Sequence, residues 1–342
     1  MALAVCGDLV ANNVLTVEAR TAVMPGASLA VAGSTTNSAP LHVVGTMTSY
    51  GSIDARNTED VTGDLQTAGA WNTSSPVQVG GNAFVASALA ARNSVTVGGT
   101  LHVPSGTDIN EVTAEAVAFG SVEVTQALDC ASAPDIAALV ARAWGVHDDP
   151  AEAALPRDAF ENVSVPTVAT LGCGTYALTS IGANNTLTLH VTGSTVLVIQ
   201  GNVHIASPVV IDLAPGATLD LAIGGDLQID NTLTVGDAAQ PASTWVGVAG
   251  AIAIASPTVV RGALVAPRSA VSARNTLDVT GSAVFGGLEV SSPVTIHDGP
   301  ALSAAGCQVA ALEVDPTAEP PSQDGADMQG PAPDPRAPGE TY

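Results

Sequence analysis

Apolar residues recur along this chain at alternate positions in very short runs, each closed by glycine. The unit opens with a small or polar residue at position 0. Thr, Ser or Pro follows, then apolar residues at +2 and +4, then glycine. Asn57-Thr58-Glu59-Asp60-Val61-Thr62-Gly63, Ser75-Pro76-Val77-Gln78-Val79-Gly80-Gly81 and Asn93-Ser94-Val95-Thr96-Val97-Gly98-Gly99 are three copies. Ala39-Pro40-Leu41-His42-Val43 precedes them, so the start moves by 18 residues three times running. Asn13 opens an earlier copy and Asn110 a later, weaker one. In the second half, copies start at Asn185, Ser207, Asn231, Ser256, Asn275 and Ser292, with steps of 22, 24, 25, 19 and 17 residues. A second strand signal follows the glycine, as in Gly99-Thr100-Leu101-His102-Val103 and Gly225-Asp226-Leu227-Gln228-Ile229. Alternation over so few residues, bounded by turn residues, predicts short strands.

A unit of this size cannot bury its apolar face alone, so copies must stack and share one core. The pattern predicts an all-β fold, a right-handed parallel β-helix (β-solenoid) with one repeat per coil. Positions +2 and +4 are expected inward, and position 0 inward at a corner. Asn57, Asn93, Asn185, Asn231 and Asn275 are then a structural ladder between coils. Unequal coil lengths imply loops at some turns and favour the right-handed form over the strict hexapeptide left-handed form. Glu59 occupies an inward +2 position against the rule, and a local bulge is expected there. A β-sandwich would not require three identical steps with a shared glycine.

Residues 131–160 break the pattern. Ser132-Ala133-Pro134-Asp135, followed by Ile136, Leu139, Val140, Ala143 and Trp144, reads as a capped amphipathic helix stopped at Gly145. It is expected to cap one lobe or to lie against the flank of a continuous solenoid. A second, short helix is expected at Ala151–Leu155. From residue 311 the chain turns to Pro, Asp, Glu, Gly and Ala and cannot build a core. The expected organisation is an N-terminal solenoid lobe at 1–130, a helical insert at 131–160, a C-terminal solenoid lobe at 161–310 and a disordered acidic tail at 311–342.

Composition narrows the function. The 342 residues carry a net charge of −23, and Lys is absent. Nucleic-acid binding needs a cationic surface, so no nucleic-acid partner is expected. No apolar run is long enough for a membrane helix, so no membrane insertion is expected. The opening MALAVCGD lacks a basic n-region and a full h-region. An export signal is therefore expected to be absent from this chain, removed or lying outside it.

Four cysteines, Cys6, Cys130, Cys173 and Cys307, allow three pairings. Cys130 and Cys173 bracket the insert, and a bond between them would staple it. Cys6 and Cys307 sit near opposite ends of the repeats, about 58 Å apart in a stack of about a dozen coils. They are expected to be free or to pair between molecules, unless the lobes fold back side by side. The alternative is four buried thiols in a cytoplasmic protein.

No catalytic, cofactor-binding or metal-binding residues stand out, so no cofactor is expected. Asp60, Asp64, Asp226 and Asp278 flank glycine turns and read as solvated turn residues. His147-Asp148-Asp149 reads as an exposed loop after the helix. His42, His102, His190, His204 and His297 alternate with apolar residues and read as outward strand positions. Thr16, Thr96 and the Asn-Thr-x-Thr copies could line a flat ice-binding face, but Asp60, Gln78, Val210 and Asp278 break that column.

The second half resembles an uncharacterised family of bacterial exported β-solenoid domains of cell-surface and pilus-assembly-associated proteins. The resemblance covers about residues 171–303. It rests on Gly262-Ala263-Leu264-Val265-Ala266-Pro267-Arg268-Ser269-Ala270-Val271, then Asn275, Gly281, Ile296-His297-Asp298 and Leu302. It implies an extracytoplasmic surface or adhesive role, with no catalytic residues to carry over. The 18-residue step of the first half is also similar to bactofilins, cytoskeletal β-helices that polymerise end to end. Four cysteines and long loops count against that likeness.

The leading expectation is a non-enzymatic, secreted or cell-surface protein of a bacterial envelope, structural or adhesive. Its expected partners are a further copy end to end, or a surface glycan or protein ligand. A bactofilin-like scaffold comes second and a polysaccharide-acting β-helix enzyme third.

Overall fold

The computed structural model describes residues 2–19, 27–124, 128–145 and 155–299. The acidic tail at 311–342, Cys307, Leu302, the His147-Asp148-Asp149 cluster and most of Ala151–Leu155 lie outside them. The described residues all fall within one compact unit, Met1–Val309. They form a parallel β-solenoid of about 13 turns. Each coil has three faces. In the first coil of the chain, face I is Leu3–Val5, face II is Leu9–Ala11 and face III is Leu15–Ala19. Most strands are three residues long, with the first and third buried, because a longer run would overshoot the corner. Among the described residues no helix is long and apolar enough to cross a membrane.

The +2 residues of the sequence repeat form one column on face III. Leu187, Val209, Leu233, Thr258, Leu277, Val294, Leu15, Leu41, Glu59, Val77, Val95 and Val112 are successive Cα partners. The order along this column is not the order along the chain. The final described strand, Val294–Asp298, stacks directly beneath Leu15–Ala19 of the first coil. On faces I and II, Ala283–Val290 pairs with both Leu3–Val5 and Leu9–Ala11. The chain thus starts in the middle of the rod and winds to one end at Val112–Phe119. It then returns along the flank to the other end and winds back to the middle.

The interior is Val, Leu, Ile and Ala, as an aromatic-poor composition requires. Leu3, Leu9, Leu15, Leu29, Leu41 and Leu65 are among the wholly buried side chains. Burying each such side chain contributes about 1.5–3 kcal/mol relative to exposure. Trp71 is also wholly buried, an aromatic exception.

Glu59 corrects an expectation. No bulge forms: the strand keeps its register from Leu41 through Glu59 to Val77, and the carboxyl is carried into the core. Neighbouring coils on both sides lock the three-residue strand, so shifting it would turn Val61 out of the core as well.

The return segment carries the expected helix, Ile136–Trp144, lying on the flank rather than capping an end. Asp135 caps it by accepting from the Ala138 N–H, and Arg268 of the solenoid pairs with the same carboxylate. These contacts hold the Asp135 carboxyl below its ordinary pKa, chiefly through the backbone N–H of Ala138. Ile136, Val140 and Ala143 are buried against Ser194–Ile199, Thr218–Ile223 and Thr244–Val248 on face I. Gly224 permits this approach, since a β-carbon there would lie 3.0 Å from a Val140 methyl and 2.5 Å from the Gln200 carbonyl. Arg157 closes the helix by stacking on Trp144, 4.3 Å from its ring.

The disulfide pattern also departs from expectation. Cys130 bonds Cys6, with Cα atoms 5.7 Å apart across a sequence separation of 124. Cys130 does not bond Cys173, and Cys6 is neither free nor at an end of the rod. The reason is the permuted order: the return segment passes the first coil before it reaches the start of the second lobe. Six strand pairings on face I separate the coil beside Cys173 from the coil beside Cys6, a rise of about 29 Å. Cys173 is itself disulfide-bonded.

Candidate functional site at the outer faces and lobe junction

The corner asparagines form a ladder, although not inside the core. Asn57, Asn185, Asn231 and Asn275 are half-buried and Asn93 is exposed. Each Oδ1 accepts the N–H of the next residue at 2.8–2.9 Å. The Nδ2 of Asn57, Asn185, Asn231 and Asn275 donates to a carbonyl one coil below, at 3.1–3.3 Å. The position lies two residues before the strand, which starts at +2, so its side chain satisfies the corner from outside. Asn13 repeats the pattern across the junction, its Nδ2 donating to the Ser291 carbonyl at 3.3 Å.

A second ladder runs up another corner. Asp64 accepts the Asn82 N–H at 2.7 Å, and Asn82 accepts the Thr100 N–H at 2.9 Å. Asn202 likewise accepts from Asp226 and Asp226 from Ala251. These acids serve the turns of neighbouring coils.

The outward histidines are paired, which sequence reasoning missed. His42 meets Asp60 at 2.9 Å and His190 meets Asp212 at 2.6 Å, each across adjacent coils of face III. His204 meets Asp230 at 2.9 Å on face II, and this contact leads the causes that hold the Asp230 carboxyl below its ordinary pKa. Phe84 and His102 stack with ring centroids 4.5 Å apart. The signal was legible: each acid on face III sits one repeat step after its histidine, so stacking brings them together.

The densest outer cluster lies where the two lobes meet. Arg261 bonds Asp278 at 3.1 Å and also Thr280. His297 lies between Glu18 at 2.9 Å and Asp278 at 3.6 Å. Glu18 belongs to the first coil of the chain and the others to the last coils, so the network spans the seam. Its charges answer one another, an arrangement suited to fixing register. Among the described residues, no group of three His, Cys, Asp or Glu side chains is gathered for a metal ion.

Two further features stand apart. On face II, Asp54, Arg56, Asn72, Ser74, Ala90 and Arg92 line a shallow cleft of about 460 Å³. Inside the first lobe, Asn37 Oδ1, both Glu59 carboxylate oxygens, Trp71 Nε1 and Thr73 Oγ1 are buried with no hydrogen-bond partner. Desolvation pushes the Glu59 carboxyl up to about 8. Asn37 and Thr73 share one corner column with Ala55 between them, at the coil that carries Glu59.

These features define a permuted parallel β-solenoid whose outer faces carry coil-to-coil pairs and whose flank is bound by a returning helical segment. Residues 121–305 match a family described as a domain of unknown function, DUF7305, and the chain belongs to it. The match begins where the return segment leaves Val112–Phe119 and takes in every described residue of the second lobe. No curated protein and no solved structure matches the chain.

Proposed function

We propose that this chain is an exported, non-enzymatic structural or adhesive protein of a bacterial cell envelope or surface. The Cys6–Cys130 disulfide carries the reading. Structural disulfides persist in oxidising compartments and are rare in the cytosol, and this one joins the return segment to the first coil. The form agrees with a display role: a repetitive parallel solenoid with the described part of the return segment packed on face I and outward polar side chains on faces II and III. The resemblance of 171–303 to exported domains of cell-surface and pilus-assembly-associated proteins supports the same setting. The cytoskeletal alternative requires reduced cysteines.

The test is the thiol state and location of the native protein, with thiols trapped at lysis. Cys6–Cys130 cross-linked peptides in the envelope or extracellular fraction are the expected result. A cytoplasmic pool with alkylated Cys6 and Cys130 would overturn the proposal. A glycan array probed with the oxidised protein separates the adhesive form from a purely structural one.

A further inference from the structure

Among the described residues, the strands at the two ends of the stack have no neighbour on their outer side. At one end, Val112–Phe119 pairs only with Val95–Val103 among the described residues. At the other, on face III, Thr167–Leu171 pairs only with Leu187–Val191. A parallel strand turns its backbone groups alternately toward its two neighbours. Thr167 and Leu171 turn theirs into the stack, to Thr186 and Thr192, so Val168 and Thr170 turn theirs out of the end. At the opposite end the Glu111 carbonyl and the Gly120 N–H face inward, to Val95 and Val103. The same alternation turns Ala114, Val117 and Phe119 outward.

Both end coils expose apolar side chains, Phe119 in the inward column and Val168 on the outer side of its strand. Phe119 is 52% exposed, Val165 63% and Val168 67%, and Val14 is the only other large apolar side chain exposed among the described residues. Phe119 stands on the wholly buried Val103, a core position lacking only its next coil. Thr167–Leu171 carries no charge and no proline, the usual means of blunting an open edge.

We propose that the two ends bind one another in successive copies of this chain, the face III edge of 112–114 pairing in parallel with Thr167–Leu171 of the next molecule. Both edges lie on the same face, run in the same direction and end the same inward column. A second copy therefore continues the stack without a change of register. The molecule already contains such a joint, because Leu15–Ala19 rests on Val294–Asp298 although the two are not wound consecutively. Unlike ends in contact do not close, so the product is a filament. Each copy adds about 62 Å, from about 13 coils at about 4.8 Å each. The proposal goes beyond the functional reading above and does not depend on the compartment.

The test is sedimentation velocity of the oxidised full chain over a hundredfold concentration range. The net charge of −23 opposes association, so the measurement runs at about 0.15 M salt and again at higher salt, where repulsion is screened. The wild type is expected to form chains that lengthen with concentration and salt. Val168→Pro blocks one end and Phe119→Asp the other, each at a group facing out of the stack. Each variant alone is expected to be monomeric, and an equal mixture to give dimers only, since each retains one intact end. Ala169→Lys, in the inward column at that end, and Phe119→Lys serve if either variant fails to reproduce the wild-type circular-dichroism melt. A wild type that stays monomeric throughout overturns the proposal, as does a single variant that dimerises alone. Assembly that appears only after removal of 311–342 would place the tail on an edge and would overturn it too.

Discussion

Leu15 and Val294 are nearest neighbours in the parallel sheet of face III, and both are wholly or almost wholly buried. The pair marks the seam at which the first coil of the chain sits on the last. No covalent winding joins the two lobes there, so packing, backbone pairing and the Glu18–His297 contact hold the seam. Leu15→Ala should cost about 2–5 kcal/mol, as for other large-to-small core changes. Urea unfolding measures the loss. Hydrogen exchange should show weakened protection of Leu3–Ala19 and Ala283–Asp298 together, whereas a purely local effect would spare the second segment.

The Cys6–Cys130 bond closes a loop across a sequence separation of 124 around one whole lobe. It restrains the unfolded chain and anchors the return segment beside Ala4 and Ala30, against which Leu128 packs. The double variant Cys6→Ser/Cys130→Ser should lose about 2–5 kcal/mol. Thermal melts of the oxidised wild type with and without reductant check this. Reductant should have less effect on the double variant than on the wild type.

Glu59 gives the first lobe a pH-dependent weakness. Its carboxyl titrates near 8 in the fold, against 4.5 as the ordinary value, because burial disfavours the charged form. The fold therefore holds this proton more tightly than the unfolded chain does. Stability from this group is full below about pH 4.5, falls as pH rises toward about 8, and is level above that. Glu59→Leu matches Leu41 below it and should remove this slope. Melting midpoints at acid and alkaline pH provide the check. The variant should exceed the wild type at high pH and approach it at low pH, and parallel profiles would count against a buried carboxyl.

Much of the fold was legible because the repeat records a physical column. Every +2 residue from Leu187 to Val112 stands in one line, which the spacing of Asn, Pro and Gly had marked out. The permuted order was not legible, since a repeat states what each coil looks like and not which coil lies above which. For that reason the expected Cys130–Cys173 bond differs from the observed Cys6–Cys130 bond: chain number puts Cys6 at an end, whereas its strand neighbours put it in the middle of the stack. Position 0 differs from the inward expectation for another reason. An asparagine at a corner can satisfy backbone groups from either side, and the buried amide of this lobe proved to be Asn37.

The seam also has the geometry of an uninterrupted solenoid winding. Gly299 donates to the Gly281 carbonyl, and Leu3 stands over Ala283, whose N–H donates to the Ala2 carbonyl. One coil earlier, Ser282 alone connects Gly281 to Ala283, so Ala2 fills the place that Ser282 fills below. Joining Gly299 directly to Ala2 would set Val294 and Leu15 nineteen positions apart, within the steps of 17 to 25 residues in the second lobe. A chain beginning at 155, running through Gly299 to Ala2 and ending at 124 should therefore fold as one continuous winding. It would lack the return segment, and with it the disulfide and the Ile136–Trp144 helix. The exposure of the apolar floor beneath that helix, Val198 and Ala222, should lower its melting point without changing its strand content. Circular dichroism and X-ray scattering provide the check. A rod of the same length with a strand spectrum is the expected result, and two lobes that separate in solution would show that the return segment, rather than the seam, holds the molecule together.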